Sequence, residues 1–120
     1  MVVIPIAAEK NFENRIKKFL ENEGCWFVKF FANAYTKSGI PDILCCSNGH
    51  FIAVEVKAPN GKPSELQKWN IKKIIEESGI GVVLYPDQFD QFKELIFWTQ
   101  QNDFHEARII MYQINERWDK

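Results

Sequence analysis

Two carboxylates and a lysine stand close together in the sequence around a predicted hairpin. Asp42 ends the segment Gly39–Asp42, and Glu55 and Lys57 end the segment Ala53–Lys57. Carboxylate oxygens are the ligands that Mg²⁺ prefers, and an ammonium group beside them can orient or activate a water molecule. These residues indicate a metal-assisted hydrolytic site, but they also fit a surface ion pair with Asp42 in a turn. The residues by themselves leave both interpretations open.

The predicted hairpin brings the three side chains together. Residues 51–57 are rich in β-branched and aromatic types, as a strand is, and 41–46 precede them as a second strand. Since side chains alternate along a strand, Glu55 and Lys57 share one face. The other face is wholly apolar and is expected to meet the core; it consists of Ile52, Val54 and Val56. A tight turn over 47–50, with Asn-Gly at its centre, then sets Asp42 beside Glu55 and Lys57.

Further elements surround this hairpin. Apolar periodicity and capping signals predict a helix over 9–22, a strand over 25–34, a loop over 35–39, a helix over 64–78, a buried strand over 80–85, a helix over 87–101 and a last helix after Asp103. A helix that joins two strands favours a parallel, right-handed crossover. We therefore expect one domain over 1–120, an α/β fold with a mixed central sheet flanked by helices.

The ordered motifs resemble the PD-(D/E)XK nuclease superfamily, and in the wider pattern its VRR-NUC branch, which includes small phage-type nucleases. That pattern is a helical Glu, then Gly-x-Pro-Asp, then Glu-x-Lys, then a helix that carries Gln. The matches are Glu13, Gly39–Asp42, Glu55–Lys57 and Gln67, within about residues 9–86. The resemblance implies a restriction-endonuclease-like core and metal-dependent cleavage of DNA phosphodiesters.

The resemblance also implies a role for each residue. Asp42, Glu55 and the Val56 carbonyl would hold Mg²⁺ or Mn²⁺, and Lys57 would position the attacking water. Glu13 would contact the ion through a metal-bound water, and Gln67 would reach toward the ion or the scissile phosphate.

Local structure offers other interpretations of two of these residues. Glu13 also fits a helix-surface ion pair with Lys17, four residues later. Gln67 stands three residues after Ser64, which is the spacing of a capping box. Both alternatives stay open.

Charge is unevenly distributed along the chain, although the net charge is only −1. Residues 1–75 hold 11 Lys/Arg and 7 Asp/Glu, whereas residues 76–120 hold 4 and 9. The basic excess thus lies in the half with the candidate site and suits phosphate binding, although solvated helix faces explain it as well. The candidate phosphate-binding residues are Lys37, Lys62, Lys68 and Lys72. Trp69 nearby is expected in the core.

Other classes of protein fit the sequence poorly. No apolar run approaches the roughly 20 residues that span a membrane, and the N-terminus lacks the features of a signal peptide. Cys25, Cys45 and Cys46 lack zinc-site spacing and are expected to be reduced core thiols of a cytoplasmic protein, in the host cytoplasm if phage-encoded. No nucleotide cofactor is expected.

We therefore predict an Mg²⁺- or Mn²⁺-dependent DNA endonuclease. The chain is too small for a separate sequence-reading domain, which favours recognition of DNA shape, such as a four-way (Holliday) junction, by a homodimer. Two alternatives stay open. One is a nuclease subunit of a larger repair or restriction complex, with the apolar segment 103–120 as an interface. The other is a non-catalytic DNA-binding module.

Overall fold

Within the part of the chain that the structure describes, four strands lie in sequence order in one mixed sheet, with helices on both faces. The computed structural model describes residues 5–33 and 35–119. Its elements in chain order are α1 (Pro5–Asn22), β1 (Trp26–Lys29), β2 (Ile43–Ser47), β3 (His50–Val56), α2 (Glu65–Glu76), β4 (Ile80–Leu84), a 3₁₀ turn (Pro86–Gln88), α3 (Phe89–Gln100) and α4 (Phe104–Asn115). None of the helices in these two ranges is long and apolar enough to cross a membrane.

The predicted hairpin is confirmed, and so is the parallel direction of the predicted crossover. Strands β1, β2 and β3 pair antiparallel, and α2 then carries the chain to β4, which lies parallel to β3. The β2–β3 turn has Asn48 at φ +50° and Gly49 at φ +83°, the left-handed pair that a two-residue hairpin of type I′ requires. This turn fixes the register, with Ile43 opposite Val54. The sheet is therefore mixed and the fold α/β, as the sequence predicts.

Apolar burial on the two sheet faces holds the helices in place. The larger core lies between one face and the helices α1, α3 and α4, and it includes Ile52, Val54 and Val56 as expected. Ile71 of α2 covers the other face beside Val83. Each fully buried Ile, Leu or Phe contributes about 1.5–3 kcal/mol relative to an exposed one, so this core fixes the strand ends that carry the site.

The bounds of several elements and the burial of one cysteine differ from expectation. Strand β1 ends at Lys29 rather than at Ala34, which lies outside the described residues. Strand β2 begins only at Ile43, opposite Lys29, and beyond that pair a single hydrogen bond follows, from the Phe30 N–H to the Asp42 carbonyl (2.8 Å). Helix α1 begins at Pro5 rather than Glu9, because proline is well tolerated in a first helical turn.

A further difference concerns the cysteines. All three are free thiols, but only Cys45 is buried, whereas Cys46 is exposed and Cys25 is half-buried. The prediction of three core thiols is therefore wrong for Cys46. The reason is strand alternation, which sends neighbouring side chains of β2 to opposite faces of the sheet.

Candidate active site

Asp42 lies just before β2, and hydrogen bonds fix both of its carboxylate oxygens. Oδ2 accepts a bond from the backbone N–H of Val56 (2.9 Å), and Oδ1 accepts one from the ammonium of Lys29 (3.2 Å). Continuing the β2–β3 register by two residues places Pro41 opposite Val56. Since proline has no N–H, it donates nothing to the Val56 carbonyl. The ladder of backbone hydrogen bonds thus ends where the Asp42 carboxylate meets β3.

Glu55 is a buried carboxyl with an unsatisfied oxygen. The residue is only 2% exposed, and its Oε1 has no hydrogen-bond partner among the described residues. Its Oε2 lies 3.7 Å from the ammonium of Lys57. Burial raises the pKa of Glu55 to about 9; the hydrogen bond that a protonated Glu55 can donate to Asp42, and the negative charge of Asp42, add to this shift, and Lys57 offsets it only in part. Glu55 therefore holds a proton at neutral pH unless a cation takes its place.

Backbone and side-chain packing hold Lys57 beside Glu55. Its N–H donates to the Leu84 carbonyl (3.0 Å), which ties the end of β3 to β4. Its aliphatic stem lies against Gly61, where an added Cβ would stand 3.3 Å from the Lys57 Cδ. A larger residue at position 61 would crowd this stem, so the glycine leaves room for the ammonium to reach the site.

Lys29 and Glu13 complete one side of the site. The Lys29 ammonium donates to Glu13 Oε1 at 2.7 Å while it also bonds Asp42. Lys17 lies 3.6 Å from Glu13 Oε2, so the predicted helix ion pair is present as well. Burial acts to lower the pKa of Lys29, but its hydrogen bonds to Glu13 and Asp42, together with their negative charges, raise it overall.

Lys29 and Glu9 are the residues that sequence reasoning missed. Glu9 lies one helical turn before Glu13, and burial, followed by the negative charge of Asp42, raises its pKa. The i,i+4 spacing of the two glutamates was the available signal for Glu9. For Lys29 the signal was a single charge in an otherwise apolar stretch, residues 25–32.

The oxygen donors at this point fit a hard divalent cation. Within 5–33 and 35–119, no three His, Cys, Asp or Glu side chains converge closely enough to form a metal-binding group by themselves. However, Asp42 bonds the Val56 N–H next to the buried Glu55, whose Oε1 has no partner among the described residues, and the Val56 carbonyl receives no bond from Pro41. Two carboxylates and a carbonyl are the ligand types that Mg²⁺ and Mn²⁺ take in proteins.

Gln67 has a structural partner away from these carboxylates. Its Oε1 accepts the Ser64 N–H (2.9 Å), and Ser64 Oγ accepts the Gln67 N–H (3.2 Å). The predicted capping box is therefore confirmed. It accounts for the side-chain oxygen of Gln67, while the Nε2 amide takes no part in it.

The candidate phosphate-binding lysines lie around α2. Lys37 stacks over the ring of Trp69 (5.3 Å), which is exposed, so the core placement expected for Trp69 is wrong. Lys62 and Lys68 line a cleft of about 620 Å³ beside the loop that follows Lys57. Two of the lysines have acidic neighbours: Lys68 lies 3.1 Å from Glu65, and Lys72 lies 3.4 Å from Asp119.

Comparison with known proteins adds one finding. The model of a family described as archaeal Holliday junction resolvase (Hjc) matches residues 7–119, a range that includes every candidate site residue. The family belongs to the PD-(D/E)XK nuclease superfamily, so the resemblance is confirmed for the superfamily but not for the VRR-NUC branch. Neither the curated proteins nor the solved structures yielded a match.

Proposed function

The chain belongs to the archaeal Holliday junction resolvase family of structure-specific endodeoxyribonucleases, and we propose that Asp42, Glu55 and Lys57 form its catalytic centre. One observation carries this proposal. The Asp42 carboxylate bonds the Val56 N–H at the strand end where the buried Glu55 meets the Lys57 ammonium. An acidic pair beside a largely buried lysine suits hydrolysis of a phosphodiester.

The family generally uses divalent metal ions, and we propose Mg²⁺ or Mn²⁺ here. Asp42, Glu55 and the Val56 carbonyl would hold the ion, and Glu13 would contact it through water. When bound, such an ion polarises the scissile phosphate and stabilises the leaving oxygen. The partnerless Oε1 and raised pKa of Glu55 support this assignment, because a nearby cation offsets the cost of burying an ionised carboxylate.

Lys57 would position the attacking water. Its ammonium lies 3.7 Å from Glu55 Oε2, and the strand backbone and the close contact of its stem with Gly61 hold it there. An ammonium fixed in this way donates to the water oxygen and stabilises negative charge that develops during in-line attack. It also favours the ionised form of Glu55, the neighbouring carboxyl.

The substrate would follow the lysines that flank α2. Lys37, Lys62, Lys68 and Lys72 would contact phosphates, and such contacts make binding salt-dependent. Gln67 would contribute its Nε2 amide to the scissile phosphate, since the capping box uses only its oxygen. Phosphate contacts carry no base sequence, which agrees with a substrate recognised by its branched shape.

We further propose a homodimer over an exposed apolar row on the sheet. The register aligns Trp26, Cys46 and Phe51 across three strands, on the face opposite the larger core. Trp26 is 64% and Phe51 is 46% exposed. A contiguous apolar surface beside an edge strand marks an interaction site, and a two-fold dimer would supply two active sites for the two strands to be cut.

Cleavage of a synthetic four-way junction tests the catalytic assignment. We expect wild-type protein with Mg²⁺ to cut the junction. Asp42→Asn should keep its circular dichroism spectrum but cut at least about 100-fold more slowly, because loss of a metal ligand removes several kcal/mol of transition-state stabilisation. Asp90→Asn, on the exposed surface of α3, is the matched control and should cut normally. Wild-type rates for Asp42→Asn would contradict the assignment, and equal cleavage of linear duplex would contradict recognition by shape.

A further inference from the structure

Lys29 lies between two carboxylates of the proposed site, although it belongs to no part of the motif. Its ammonium bonds Glu13 Oε1 at 2.7 Å and Asp42 Oδ1 at 3.2 Å. Both bonds are charge-assisted, and the strength of such bonds is about twice that of neutral ones. Lys29 thus occupies the position from which a cation would bridge Glu13 and Asp42.

The surroundings hold Lys29 in this position. It is the last residue of β1, directly opposite the first residue of β2, and its backbone is fixed by that pairing. Glu13 projects from α1, whose apolar residues Phe12 and Ile16 are buried in the core. For a hydrated ion to bind between the two carboxylates, the ammonium would have to leave and give up both of its hydrogen bonds.

The charges of the site favour a single divalent ion. Among residues 5–33 and 35–119, four carboxylates and three ammonium groups lie together: Glu9, Glu13, Asp42 and Glu55, with Lys17, Lys29 and Lys57. Once a bound cation has replaced the proton of Glu55 and all seven groups are ionised, their own charges sum to one negative charge in excess. One divalent ion would change this to one positive charge, which the single negative charge of a phosphodiester balances. A second divalent ion would leave two positive charges unbalanced.

We propose that the Lys29 ammonium takes the place of a second metal ion, so that each chain binds one divalent ion at Asp42, Glu55 and the Val56 carbonyl. The inference rests on the proposed function of that site. It assigns Lys29 as a positioning residue: the ammonium orients Asp42 Oδ1, leaves Oδ2 on the Val56 N–H, and keeps Glu13 from direct ligation.

The number of bound ions tests this directly. Metal-free protein is titrated with Mn²⁺ alone, and bound and free ions are counted by electron paramagnetic resonance and by calorimetry. We expect one Mn²⁺ per chain for the wild type and for Lys29→Arg, which keeps the positive charge. Lys29→Met leaves Glu13 and Asp42 without their shared cation, so this variant should bind two ions per chain. The double variant Lys29→Met, Glu13→Gln lacks one of these carboxylates and should again bind a single ion.

Lys17→Met is the matched control, because Lys17 also lies beside Glu13 but does not reach Asp42; it should bind one ion. Two ions on the wild type, or a single ion on folded Lys29→Met, would overturn the inference. If Lys29→Met does not fold, the wild-type and Lys29→Arg counts still decide. Junction cleavage by the same wild-type sample separates the two claims: one bound ion without cleavage contradicts the function, and cleavage with two bound ions contradicts only the role of Lys29.

Discussion

The buried carboxyl of Glu55 makes the metal-free protein sensitive to pH. Burial, and then the hydrogen bond and charge of Asp42, raise its pKa from 4.5 to about 9. A group with a raised pKa in the folded state adds stability that is fully present below the unfolded pKa and is lost as pH rises through the folded pKa. The window of this loss therefore runs from about pH 4.5 to about pH 9.

The size of the effect follows from the shift. Within the window, each pH unit lowers the free energy of unfolding by about 1.4 kcal/mol, so the metal-free wild type loses about 3 kcal/mol between pH 5 and pH 7. This is a large part of the roughly 5–15 kcal/mol by which domains are stable. Glu55→Gln has nearly the same shape and cannot ionise, so its stability should not fall with pH in this way.

Urea unfolding with a chelator present measures both proteins at pH 5, 6, 7 and 8. We expect the wild-type curve to fall steeply and the Glu55→Gln curve to fall less, because only the raised pKa of Glu9 then remains to lower it, so that the variant is the more stable protein at pH 8. Glu21→Gln, at an exposed position of α1, should keep the wild-type slope. Parallel slopes for wild type and Glu55→Gln would refute the argument from burial.

Two further predictions concern the proposed interface and the capping box. Phe51→Glu places a charge in the apolar row and should convert the dimer to a monomer in analytical ultracentrifugation. Phe97→Glu is the control: Phe97 is 48% exposed on α3, outside the row, and its variant should stay dimeric. A dimeric Phe51→Glu would contradict the interface. Ser64→Ala removes the cap of α2 and should cost about 1 kcal/mol in urea unfolding while junction cleavage persists. Gln67→Ala should lose the same stability and also lose cleavage; equal cleavage by the two variants would leave Gln67 with a capping role alone.

The sequence predicted the elements whose signals are local. The β2–β3 turn is specified by Asn48 and Gly49, and the apolar alternation of β3 sets which face meets the core. Once turn and alternation are known, the register follows, and so does the closeness of Asp42 to Glu55. The Ser64–Gln67 spacing likewise determined where α2 begins.

The features of the site that the sequence did not predict depend on contacts between residues that are distant in sequence. Lys29 meets Asp42 across 13 residues and Glu13 across 16, and the second contact exists only because α1 packs over the end of β1. No periodicity within β1 encodes that packing. The end of β1 differs from the prediction for a related reason: residues 30–32 have the composition of a strand, but their partner strand β2 begins only at Ile43, opposite Lys29.

Because Glu55 is buried, the affinity for the proposed metal ion should depend on pH. At neutral pH this carboxyl carries a proton, so an ion that binds Glu55 has to displace it, and ligands generally bind metals in their deprotonated form. The apparent affinity for Mn²⁺ should therefore rise up to about tenfold per pH unit between pH 6 and pH 8. Since the ion binds the folded state, it should also restore the stability that ionisation removes. A Mn²⁺ affinity that does not change over this range would mean that the ion binds away from Glu55, whatever the variants at Asp42 do to cleavage.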